Sequence, residues 1–181
     1  MKKFLFIISA GVVCYCMSCS NEKSADTNEN PAVQKNLDAA NAVVKGIETG
    51  DVSKFGDYIA TDATDHAGEH GDVVGLDSIK DELGKVHNMY SNLKMDVIKQ
   101  LADSEYVFQW IQFSGTCTVA SMGMPAGTKV DMSSVEVSKF KDGKATEHWG
   151  FMNMADMAKM MPQSGMDHMM MDKKKDSTKK M

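Results

Sequence analysis

The stretch KDGKATEHWGFM, residues 141–152, decides how this chain is to be read. Asp142 and Gly143 are residues that tolerate the positive φ values of a two-residue hairpin turn, so a strand must arrive at Lys141 and another must leave from Lys144. The departing strand places side chains alternately on two faces. Thr146, His148, Gly150 and Met152 are predicted on one, and Glu147, Trp149 and Phe151 on the other.

Upstream of the turn, Leu93 to Leu101, Tyr106 to Thr118 and Val130 to Phe140 are rich in β-branched, aromatic and thioether side chains, the composition of strands. Ala145 to Met152 makes a fourth. Before these, the spacing changes. Val33, Leu37, Ala40, Val44 and Ile47 recur at three- and four-residue steps, which predicts a helix from Pro31 that stops at Gly50. Val52, Phe55, Tyr58 and Ile59 form a short amphipathic piece. Residues 61–71 read as a short strand or loop. Ile79, Leu83, Val86 and Tyr90 predict a second main helix, with Asp77 as its cap. Residues 153–161 are expected to close the domain as a helix. Two helices followed by antiparallel strands describe an α+β domain, in which a curved antiparallel sheet wraps the helices and leaves a pocket.

Of the 181 residues, the first 19 have the pattern of an export signal: Lys2 and Lys3, an apolar run from Phe4 to Val13, then small and polar residues. That run is shorter than the roughly 20 apolar residues that a membrane-spanning helix needs. Ser18 directly before Cys19 matches a lipoprotein processing site, so Cys19 is the expected lipidation site and the cell envelope the expected location. Residues 20–30 contain no large apolar side chain and read as a flexible tether. Residues 31–161 have the size of one domain. With Cys19 acylated, Cys117 is the single thiol of that domain, and the fold must rest on packing rather than on a disulfide.

The formal net charge is −5, which argues against a nucleic-acid partner. Phosphate-loop and dinucleotide fingerprints are absent, and no cofactor is expected. Ten of the 17 methionines lie between Met152 and Met181, several of them around His168. Residues 162–181 form a Met- and Lys-rich tail that has two readings: a soft-ligand site for Cu(I), or a flexible apolar end that packs on the cone or on a partner and is followed by solvated lysines.

Gly50 and Asp51 after the first helix, His66, Gly75 before the second, and the run Asp142, Gly143, Lys144, Ala145, Thr146, Glu147, His148, Trp149 together resemble the SnoaL-like branch of the NTF2-like superfamily. The resemblance implies a cone of helices inside a curved sheet, with a pocket that serves cyclases, isomerases and non-catalytic binders alike. It also implies an acidic proton-transfer residue after the His–Trp pair. Gly150 stands there instead. His148, as a histidine near its ordinary pKa of about 6.5, and His66 are then the candidate catalytic residues. Asp65, His66, Glu69 and His70 read either as a metal cluster or as a solvated loop. Trp110, Tyr90, Tyr58 and Met152 are candidate ligand contacts or core. The expected function is binding of a small, mostly apolar molecule, with the membrane reached through the lipid anchor. The alternatives are a cyclase or isomerase that uses His148 and His66, and a non-catalytic module that forms a homodimer through the sheet or handles copper.

Overall fold

A computed structural model describes residues 30–68, 70–120 and 124–160. The predicted leader with Cys19, nearly all of the tether, Glu69 and the tail of residues 162–181 lie outside the described residues. Helix α1 (Pro31–Thr49) starts where the Asn30 side chain accepts a hydrogen bond from the Ala32 N–H at 3.0 Å, with Pro31 in the first turn. It ends where Gly50 takes φ 77° and donates its N–H to the Ile47 carbonyl. A short helix α2 (Phe55–Tyr58), strands β1 (Ile59–Asp65) and β2 (Val73–Val74) and helix α3 (Leu76–Met89) follow. The long strands β3 (Tyr90–Ala102), β4 (Tyr106–Cys117), β5 (Lys129–Lys141) and β6 (Lys144–Met152) complete the sheet, and α4 (Met154–Met160) comes after it. Because α3 opens immediately after Gly75, Asp77 sits inside its first turn and is not its cap. There it still complements the helix dipole.

The six strands are ordered β2-β1-β6-β5-β4-β3. β3 to β6 pair antiparallel as expected, but β1 runs parallel to β6, so the sheet is mixed at this side. Register shifts in the β3–β4 and β5–β6 ladders bend the strands. The curved sheet closes over α1 and α3. Val33, Leu37 and Ala40 of α1 meet Val107 and Phe140 of the sheet in one core cluster. Phe55, Ile59, Ala63 and Ile79 make a second, under α3. Gly46 is needed there, because a Cβ on it would lie 2.3 Å from Phe55 Cε1. A third cluster contains Tyr90, Leu93, Val130 and Met132, with Cys117 only 2% exposed among them.

The hairpin forms as read, with φ 55° at Asp142 and 81° at Gly143, and Lys141 paired with Lys144. Two residues later the ladder slips. Ala145 faces Phe140 while Glu147 faces Lys139, which leaves Thr146 unpaired in a bulge, its hydroxyl donating to the Lys139 carbonyl at 3.3 Å. As a result Ala145, and not Thr146, joins the helix-facing core. From Glu147 onward the predicted alternation holds.

Candidate functional site

The parallel pairing of β1 with β6 brings Asp65 level with His148. Asp65 Oδ1 lies 2.9 Å from His148 Nδ1 and also accepts the Ala67 N–H at 2.9 Å. On the other side of the ring, Glu136 Oε2 of β5 lies 3.1 Å from Nε2, and Ser134 Oγ donates to Glu136 Oε1 at 2.5 Å. One imidazole is thus held between two carboxylates. Glu136 pairs across the ladder with Gly150. A Cβ at position 150 would meet Glu136 Oε2 at 2.9 Å and the Ala67 Cβ at 3.3 Å. The glycine supplies the space that the Glu136 carboxylate occupies.

Burial of the His148 ring disfavours its charge, but hydrogen bonds to Asp65 and Glu136 outweigh this and push its pKa up to about 9. Burial likewise pushes the Asp65 carboxyl up, yet its hydrogen bond with His148 and the charge of that ring hold it below the ordinary value. His148 is therefore an imidazolium at neutral pH. The expectation of a histidine titrating near 6.5 is corrected by its two acidic neighbours.

This trio forms the polar end of a cavity of about 220 Å³, whose walls include Val44, Ile47, Ile79, Leu83, Ile111 and Phe140. A second cavity, of about 360 Å³, adjoins it and is lined by Met89, Met95, Met132, Met152 and Met157 together with Tyr90. Glu136, Ile111, Met95 and Val86 border both. Tyr90 and Met152 therefore line a cavity.

The other candidates are placed elsewhere. Trp110 is 48% exposed on the outer face of the sheet, its indole N–H donating to Ser133 Oγ at 2.9 Å. Its neighbours Gln109 and Ile111 point inward, and alternation sends Trp110 outward. Tyr58 packs against the core clusters beside α1 and α2 and lines neither cavity. His66 follows Asp65 and turns to the other face, where it stacks on Trp149 with ring centroids 5.0 Å apart. Its Nδ1 lies 3.0 Å from Asp72 and its Nε2 3.6 Å from Glu147, and the hydrogen bond with Asp72 raises its pKa. The two histidines do not form one catalytic pair, because adjacent strand positions send their side chains apart. Asp65 and His66 do not converge on a metal either; among the described residues no cluster of three or more potential ligands does.

A family model described as SnoaL-like polyketide cyclase matches residues 37–163. The chain belongs to the SnoaL-like polyketide cyclase family. A SnoaL-like polyketide cyclase from Agrobacterium tumefaciens has a similar fold, with a TM-score of 0.60 and 15% identity over 68% of this chain and 95% of that one. TsrD from Streptomyces laurentii aligns with a TM-score of 0.62 and 13% identity, covering 70% of this chain and 94% of its own. Bal32a, from a soil-derived mobile gene cassette, gives 0.57 and 15%, covering 68% and 92%. A search of curated protein sequences returned no significant match.

Set within the SnoaL-like fold, the missing acid at position 150 is not a missing acid in the site. A carboxylate enters from the neighbouring strand, at the position paired with the glycine. Sequence reasoning overlooked Glu136, and it placed Asp65 beside His66 instead of beside His148. The available signal was parity: Glu136 lies an even number of residues from Val130, Met132 and Phe140, buried apolar positions of its strand.

Proposed function

We propose that this SnoaL-like domain binds a small, mostly apolar molecule inside its cone, with the Asp65–His148–Glu136 trio addressing the molecule's polar end. The observation that carries this reading is a mostly apolar cavity of about 220 Å³ into whose wall the hydrogen-bonded Asp65–His148–Glu136 group is set. Pockets of this build take their affinity from apolar burial and their orientation from a few polar contacts. Fluorescence of N-phenyl-1-naphthylamine, displaced by decanol, tests it. Leu83→Trp, which projects an indole into the cavity, should abolish probe binding while the domain stays folded. Undiminished binding in that variant would remove the pocket from the account.

A second reading, a cyclase or isomerase, is favoured by the Glu136 carboxylate standing opposite Gly150 and against an imidazolium. Glu136 would act as the proton acceptor and His148 would hold it in place. Incubating the protein with 2-decanone in D₂O and following deuterium entry next to the carbonyl by NMR separates binding from turnover. Exchange lost in Glu136→Gln supports an enzyme, and exchange no faster than in buffer speaks for binding alone.

Acylation at Cys19 would tether the domain to an envelope membrane, and a lipoprotein signal-peptidase inhibitor should then make the precursor accumulate. Pairing of two copies through the outer sheet face would cover Phe108, Trp110, Val135 and Phe151, which are 45%, 48%, 40% and 58% exposed. Trp110→Ser should shift the sedimenting species toward the monomer.

A further inference from the structure

We propose that the molecule bound in the cone carries a cationic nitrogen, an ammonium joined to apolar groups, which pairs with the Glu136 carboxylate where the two cavities meet. The inference rests on the pocket reading above and adds the chemical class of the ligand.

His148 presents both ring nitrogens to carboxylate oxygens, at 2.9 and 3.1 Å, so each contact needs a proton. Two protons shared among one imidazole and two carboxylates leave a net charge of −1. The sum is unchanged if the second proton resides on Asp65 or Glu136 instead of the ring. Among the described residues no lysine lines either cavity, and the chain has no arginine. Glu147, at the edge of the first cavity, is already balanced by Lys139 at 3.0 Å. One negative charge is thus left facing walls that are mostly apolar and, among the described residues, carry no further cation. Such a charge is costly to desolvate until an opposite charge joins it.

Glu136 is the member of the trio best placed to receive that partner. It borders both cavities, whereas Asp65 and His148 border only the first. Its two oxygens take one hydrogen bond each from His148 and Ser134, and a carboxylate has further lone-pair capacity. A nitrogen seated there can extend one apolar arm among Val44, Ile79 and Leu83. A second arm would lie among Met89, Met132 and Met152, whose flexible thioethers adapt to irregular shapes. A ligand ending in a carboxylate or phosphate would instead meet Glu136 with like charge.

Calorimetric titration of the intact protein at pH 7 with decylamine, decanol and decanoate tests the inference, since the three share one chain length and differ only in the head group. Decylamine should bind at least tenfold tighter than decanol, and decanoate at least tenfold weaker. In Glu136→Gln the ratio of amine to decanol affinity, both measured on that variant, should fall below threefold. The wild-type ranking stands even if that variant fails to fold. Decanol binding with no preference for the amine would overturn the inference and leave the pocket reading intact. Failure of all three to bind would overturn both.

Discussion

Replacing His148 with glutamine removes the positive charge between Asp65 and Glu136 while keeping a polar side chain of similar length. The wild-type ring is 30% exposed, and its partners Asp65 and Glu136 are 11% and 23% exposed. Removing one member of a fully buried ion pair costs about 3–5 kcal/mol. The displacement of the His148 pKa from 6.5 to about 9 gives an upper limit of about 3 kcal/mol, at about 1.36 kcal/mol per pH unit. Residual solvent access lowers both figures, and a loss of about 2 kcal/mol is expected. That corresponds to a fall in Tm of roughly 4–8 °C for a domain of this size. The pH dependence has a definite sign. A histidine whose folded pKa is raised stabilises fully below its unfolded value near 6.5, and that stability is lost as pH rises through about 9. The deficit of His148→Gln should therefore be largest below about pH 6.5, shrink as pH rises from there to about 9, and be nearly gone above that. Urea unfolding of both proteins at several pH values measures this directly. A deficit below about 0.5 kcal/mol at pH 7, or a wild-type stability that does not decline toward pH 10, would refute the charged arrangement.

Three other substitutions probe the frame around the site. Gly150→Ala places a methyl group 2.9 Å from Glu136 Oε2, so the carboxylate must swing away; ring NMR should show the His148 pKa moving back toward its ordinary value. Gly46→Ala would favour an isolated helix by about 1 kcal/mol. Here the added methyl meets Phe55 Cε1 at 2.3 Å and the Asp51 carbonyl at 2.8 Å, so denaturant titration should show net destabilisation of about 1–3 kcal/mol. Ile111→Ala should cost about 2 kcal/mol, the low end for such truncations, because Ile111 already borders empty space on two sides. Thermal unfolding reads that loss.

The helices and long strands were legible because their signals are local. The face of α1 follows from Val33, Leu37, Ala40 and Val44, and the turn at Asp142 and Gly143 follows from backbone preferences of two adjacent residues. Strand parity put His148, Gly150 and Met152 on one face, and the resemblance to the SnoaL-like family implied that this face looks inward. Parity could not assign Trp110, because an aromatic residue suits either face of a strand.

The acidic partners were hidden for a different reason. Counted from the hairpin turn without interruption, Gly150 would pair with Val135. The bulge at Thr146 shifts the ladder by one residue and puts Glu136 there instead. Asp65 reaches His148 across 83 residues of chain, through a parallel pairing that no turn specifies. What the sequence by itself determined was the α+β frame and the face that His148 shares with Gly150 and Met152, since both are written in periodicity and turn chemistry. Only the tertiary structure decided that this histidine is an imidazolium between two carboxylates. Its charge depends on a bulge and a long-range strand pairing, and those are settled by how the sheet curves over its helices.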